Sequence, residues 1–115
     1  KYLDTEPMLP TAFFADNDRI AAGCCKTLLK YGYRIPDNIS VIGFDDSAVS
    51  EVLNPPLTTM QIQKQRMGAL AVERLNTLLC SSPPERVRIA IAPEVLVRQS
   101  VLVRDSAPAS KKSKK

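Results

Sequence analysis

Apolar positions along this chain fall into two alternating patterns. Thr11-Ala12-Phe13-Phe14-Ala15, after Pro10, is a near-continuous apolar run of the kind that makes a strand buried on both faces. Asp16-Asn17-Asp18 follows, rich in residues that cap helices. A helical period then runs from about Arg19 to Tyr31. Its predicted apolar face holds Ile20, Cys24 and Leu28, with Ala21 and Cys25 beside them. Gly32 stands where a helix ends on a left-handed residue, and Pro36 blocks continuation. Ile39 to Phe44 is a second strand. The three elements make a strand–helix–strand unit with a right-handed crossover, the building block of a parallel sheet.

The pattern then repeats in weaker form. Ser47 to Pro56 is a connection with room for one helical turn, closed by Pro55-Pro56. Leu57 to Ile62, with two threonines and an isoleucine, is strand-like. Lys64 to Leu79 is a second helix with Met67, Leu70, Ala71, Leu75 and Leu78 as its stripe. Val87, Ile89 and Ile91 alternate with Arg88 and Ala90, which predicts a strand with one wetter face. Another short strand is expected at Val95 to Arg98, after Pro93. The fold class is α/β.

Composition narrows the functions open to such a chain. At 115 residues, 44% hydrophobic and 24% charged, it is the size and type of one soluble domain. No apolar run approaches the ~20 residues of a membrane span, so no membrane partner is expected. The net charge of +4 is misleading. Lys111, Lys112, Lys114 and Lys115 sit in a Ser- and Ala-rich tail expected to be disordered. Without those four of the sixteen basic residues, residues 1–110 carry twelve basic and twelve acidic groups. That body has no electrostatic footprint for a phosphate backbone. Cys24, Cys25 and Cys80 form no disulfide framework and read as small apolar residues in a reducing, cytoplasmic setting. There is no histidine, no phosphate-cradling glycine loop and no nucleophile elbow. Neither an enzyme nor a metal or other cofactor is expected. The opening Lys1-Tyr2-Leu3-Asp4 looks like the tail of an earlier element, which suggests a fragment.

The candidate chemistry lies where the second strand ends, in Asp45-Asp46. Ligands of open parallel sheets bind beyond the carboxyl ends of strands. Two carboxylates there can meet a polar small molecule, and they can equally make a turn and cap the next helix. Position alone leaves both roles open.

The residues around them carry a resemblance. Pro10-Thr11-Ala12-Phe13-Phe14-Ala15-Asp16-Asn17-Asp18 with Ala21 and Gly23, Gly32 to Asp46, Pro55-Pro56-Leu57-Thr58-Thr59, Met67-Gly68 with Ala71, and Pro93 to Ser100 follow in the order and spacing of the LacI/GalR family of bacterial transcription regulators. Asn38 stands where that family usually has Asp, and Val95-Leu96 shifts the closing motif. Together these stretches resemble the family over about residues 8–104.

The resemblance implies a two-lobed, periplasmic-binding-protein-like (type I) sensor, with parallel sheets flanked by helices, behind a helix-turn-helix headpiece that this chain lacks. It divides the chain into residues 1–59 in the C-terminal lobe, 60–86 as a crossover strand and helix of the N-terminal lobe, 87–104 as the return crossing, and 105–115 as a basic tail. It implies that Asn17 and Asp45 contact a small-molecule effector, a sugar, in the cleft. By residue chemistry alone, Asp16, Asp18 and Asp46 are expected to be helix caps or first-turn acids, and Phe14 and Phe44 core residues. The resemblance places Ala22, Lys26 and Leu53 at a homodimer interface, and makes operator DNA a partner through the headpiece. The alternative is a periplasmic or secreted sugar-binding protein of a transport system. Such proteins tend to carry Gly where Asp46 stands and to lack the Pro55-to-Thr59 block.

Overall fold

A computed structural model of the chain describes residues 8–83 and 85–103. The expectation of a basic tail at 105–115 lies outside the described residues. The elements are β1 (Ala12–Phe14), α1 (Asp18–Lys30), β2 (Ser40–Phe44), α2 (Ala48–Val52), β3 (Thr58–Gln61), α3 (Lys64–Cys80) and β4 (Glu94–Leu96). They form a four-stranded sheet in the order β1-β2-β3-β4. β1, β2 and β3 are parallel, with Phe14 opposite Ile42 and Phe44 opposite Met60. β4 runs antiparallel to β3, with Met60 opposite Val95.

The first crossover follows its sequence signals closely. α1 ends at Tyr31, and Gly32 takes a φ of +79°. Tyr33 N–H donates to Leu28 O and Gly32 N–H to Leu29 O, so two carbonyls of the last turn are satisfied. Asn38 Oδ1 accepts from Arg34 N–H at 2.8 Å and fixes the turn into β2. The carboxamide oxygen thus does what the family's usual carboxylate could do there.

The core lies on one face of the sheet. Val41 and Leu57 are fully buried there, with Ala15 and Ile39, against Ala21, Cys25 and Leu28 of α1. Burying a side chain such as Leu57 stabilises the fold by roughly 1.5–3 kcal/mol. The stripe of α1 is displaced from the expected one. Asp18, Ala21, Cys25 and Leu28 face inward, whereas Ile20 is 54% exposed and Cys24 half-buried. The inward stripe begins with a carboxylate, so an apolar count shifts it by one residue toward Ile20.

Two further expectations are corrected. Residues 85–91 form no strand, although Val87, Ile89 and Ile91 do face the stripe of α3 across an open apolar groove. Arg74 Nη2 donates to the Glu85 carbonyl and holds that segment along the helix. Phe14 and Phe44 are not core residues. Phe14 is 63% exposed and Phe44 half-buried. By strand alternation both lie on the sheet face opposite α1, their rings 6.5 Å apart and edge-to-face at 77°. α3 forms as expected but has no buried residue, and no helix among those described is long and apolar enough to cross a membrane.

Candidate functional site

The carboxyl ends of β1 and β2 meet at one edge, and three acidic or amide side chains there behave differently. Asn17 is the N-cap of α1. Its backbone is extended, and Oδ1 accepts from Ile20 N–H at 2.9 Å. The oxygen is therefore committed to the helix, and the amide NH2 has no partner among the described residues. Asp16, beside it, is exposed and is not the cap.

Asp45 lies at the end of β2 with a φ of +102°, a region that non-glycine residues rarely adopt. Holding a residue there costs of order 1–3 kcal/mol. Its backbone is pinned on both sides. The N–H donates to Met60 O at 2.9 Å, and the carbonyl accepts from Lys64 Nζ at 2.8 Å. The half-buried side chain is left over, because no described residue donates to its carboxylate.

Asp46 also has a positive φ, +46°, but its carboxylate is fully engaged. Oδ1 accepts from Arg98 Nη2 at 2.9 Å and from Ser50 Oγ at 3.4 Å, and Oδ2 accepts from Gln61 Nε2 at 2.9 Å. The Arg98 hydrogen bond is the main force holding this carboxyl below the usual carboxylate range. Burial pushes the other way, and Gln61 adds to the lowering. The expected helix-capping role is thus corrected. The N-cap of α2 is Ser47, which makes no side-chain cap bond, and Asp46 is a link between α2, β3 and the segment after β4. Asp18 is a first-turn acid as expected, but its side chain turns inward and is 1% exposed.

Arg98, Lys64 and Thr59 were missed in the sequence. Nothing in apolar periodicity marks them, because each acts through a partner more than a dozen residues away. The expected apolar role of the cysteines fits Cys25, which is buried, and Cys24, which is half-buried, and is corrected at Cys80, which is exposed at the end of α3. Burial, reinforced by the neighbouring Cys24, pushes the Cys25 thiol up to about 11, and burial also raises Cys24. Such thiols stay protonated and unreactive near neutral pH. No metal-ligating group of three is found among the described residues.

The residues expected at the interface differ in exposure. Lys26 is exposed on α1, Ala22 is half-buried, and Leu53 packs partly against the core.

Comparison with known proteins places this arrangement. Residues 2–101 match the model of the periplasmic binding protein-like domain. The chain is 41% identical over 93 residues to the HTH-type transcriptional repressor PurR of Pasteurella multocida, covering 81% of this chain and 28% of that protein. It superposes on the transcriptional regulator CelR in its cellobiose complex with a TM-score of 0.77 at 31% identity, over 85% of this chain and 30% of that one. It also resembles the lac repressor dimer bound to operator and the anti-inducer ONPF, with a TM-score of 0.76 at 28% identity, over 89% of this chain and 35% of that one. The chain thus spans about 28% of the length of the curated relatives it matches. It belongs to the periplasmic binding protein-like family, in the branch made up of the effector-binding domains of LacI/GalR transcriptional regulators.

Proposed function

We propose that this chain is the effector-sensing part of a cytoplasmic, ligand-gated transcriptional regulator, with Asp45 and Asn17 as contacts for a hydroxyl-rich effector, a sugar. One observation carries the reading. Among the acids that the strand ends bury wholly or in part, Asp18 and Asp46 have every oxygen engaged, whereas Asp45 is held in an unfavourable backbone conformation and no described residue donates to its carboxylate. A carboxylate accepts from two hydroxyls of one ligand, and the free Asn17 amide adds a donor. The cellobiose bound by CelR is a ligand of this kind. The repressor relatives favour regulation over transport, and no catalytic role is proposed.

The lobe assignment follows the resemblance, with residues 1–59 in one lobe, 60–86 in the other and 87–104 returning. Effector closure between lobes would change the spacing of two headpieces in a homodimer and hence operator affinity. The operator-bound lac repressor dimer supports that arrangement. Ala22, Lys26 and Leu53 are the proposed dimer contacts.

Asp45→Gly in the intact protein tests the site. Glycine accepts the positive φ, so stability should be unchanged or raised by up to about 1 kcal/mol. A buried hydrogen bond to a charged group is worth about 1.5–3 kcal/mol, so affinity for a responsive sugar should fall tenfold to more than a hundredfold. Operator release is read by band shift against a panel beginning with cellobiose and lactose. A variant that releases operator at the wild-type sugar concentration would sink the assignment.

A further inference from the structure

Asp18 is the one acid in the described structure that the proposed contacts do not use and that water barely reaches, at 1% exposure. No cation pairs with it among the described residues. Its partners are neutral donors from two other elements. Ser47 N–H donates to Oδ2 at 2.6 Å, and Ser47 Oγ donates to the same oxygen at 3.0 Å. Thr59 Oγ, itself fully buried, donates to Oδ1 at 2.5 Å and in turn accepts from Asp46 N–H at 3.4 Å. Hydrogen bonds to an ionised acceptor are roughly twice as strong as neutral ones. The sequence also makes room for this carboxylate. A Cβ added at Gly43 would lie 2.3 Å from Asp18 Oδ1.

The three elements joined are those that present the two proposed contacts. Asp18 opens α1 directly after its N-cap Asn17, just beyond β1. Ser47 lies two residues beyond Asp45 at the end of β2. Thr59 belongs to β3, whose next residue, Met60, holds the Asp45 N–H. We infer that Asp18 is a positioning residue that locks the Asn17 corner and the Asp45–Ser47 corner into one rigid jaw. A preorganised pair of contacts binds without an ordering cost at each corner. The inference rests on reading Asn17 and Asp45 as effector contacts, but its signature does not need the effector.

The experiment is amide hydrogen exchange on the intact, unliganded protein. Thr59→Val removes one of the three donors and leaves the carboxylate in place. It should speed exchange at least tenfold at Ser47 and Asp46 in one corner and at Ile20 in the other. Val41, bonded to Ser100 O in the core strand, and Leu28 should keep their protection. Thr59→Ser, which retains the hydroxyl, should restore wild-type rates. Asp18→Asn should resemble Thr59→Val, and if it does not fold the threonine pair still decides. Acceleration in only one corner, acceleration at Val41 and Leu28 as well, or failure of the serine rescue would each overturn the inference. Asp45→Gly with a normal sugar response would instead sink the contact reading and leave this exchange pattern untouched.

Discussion

Replacing Arg98 with Met removes the guanidinium that ties the end of the described chain to the site edge. Nη2 donates to Asp46 Oδ1 at 2.9 Å and to Glu51 Oε1 at 3.3 Å, while Nη1 donates to Ser50 Oγ at 3.1 Å and Leu57 O at 3.0 Å. These bonds differ in worth. Glu51 is 71% exposed, so that contact is screened and contributes ~0–0.5 kcal/mol. Arg98 and Asp46 are each only 17% exposed, so their bond is largely desolvated and belongs with charged hydrogen bonds of about 1.5–3 kcal/mol. Met preserves most of the apolar stem, so packing loss is small. Asp46 and the Leu57 carbonyl are left short of a donor, which brings the expected loss to about 3 kcal/mol. It stays at the low end of the ~3–5 kcal/mol for breaking a buried pair, because water can reach this one.

The pH dependence of that loss separates this reasoning from a simple packing defect. Arg98 depresses the Asp46 pKa in the folded state. The stabilisation is therefore complete above the unfolded value near ~3.9 and is lost as pH falls through the lower folded value. Urea unfolding of the intact protein, followed by circular dichroism, should show a constant deficit from neutral pH down to about 5. The deficit should shrink below about pH 4, where wild type loses the same interaction. A deficit under about 0.5 kcal/mol at pH 7, or one that does not shrink in acid, would refute the argument.

Three more predictions follow from single positions. Gly43→Ala would set a Cβ 2.3 Å from Asp18 Oδ1 and 2.8 Å from Leu57 Cδ2, and the carboxylate cannot swing away without losing its donors. Stability should fall by about 3 kcal/mol in a denaturant titration, at the upper end of overpacking costs, and a loss below about 1 kcal/mol would show that the carboxylate is free to move. Asn17→Ala should cost about 1 kcal/mol through loss of the α1 cap and should weaken effector response. Asn17→Ser should restore the stability but not the response, and restoring both would leave Asn17 a cap alone. The isolated 115-residue chain should bind the dye ANS through α3, where Val72 is 69%, Leu75 57% and Leu79 78% exposed, and Leu75→Lys should reduce the signal. Absence of dye binding by the wild-type chain would contradict that exposure.

Local signals were legible and long-range polar ones were not. The Gly32 termination and the parallel β1-α1-β2 unit both follow from residues acting within a few positions of themselves. Apolar periodicity also placed α3 to within a residue of its observed end. It failed where a polar residue occupies a core position. Asp18 heads the buried stripe of α1, and a pattern reader moves the stripe to Ile20 because a carboxylate does not count as core. The predicted strand at 87–91 failed for a related reason. Alternation describes a segment with one apolar face, and here that face is met by the stripe of α3 rather than by a neighbouring strand.

The adjacent acids Asp45 and Asp46 show why the residue type at a strand end does not settle its role. Both have left-handed backbones, both are half-buried, and they are neighbours in sequence. What separates them is which distant donors arrive. Among the described residues Arg98 and Gln61 reach Asp46, whereas the only side-chain donor to reach Asp45 is Lys64, and it bonds to the backbone carbonyl instead of the carboxylate. A strained residue whose main chain is held from both sides and whose charge meets no described donor gains nothing for the fold from those neighbours. The unfavourable φ is offset elsewhere, by the Met60 and Lys64 bonds, which leaves the carboxylate open to the proposed effector.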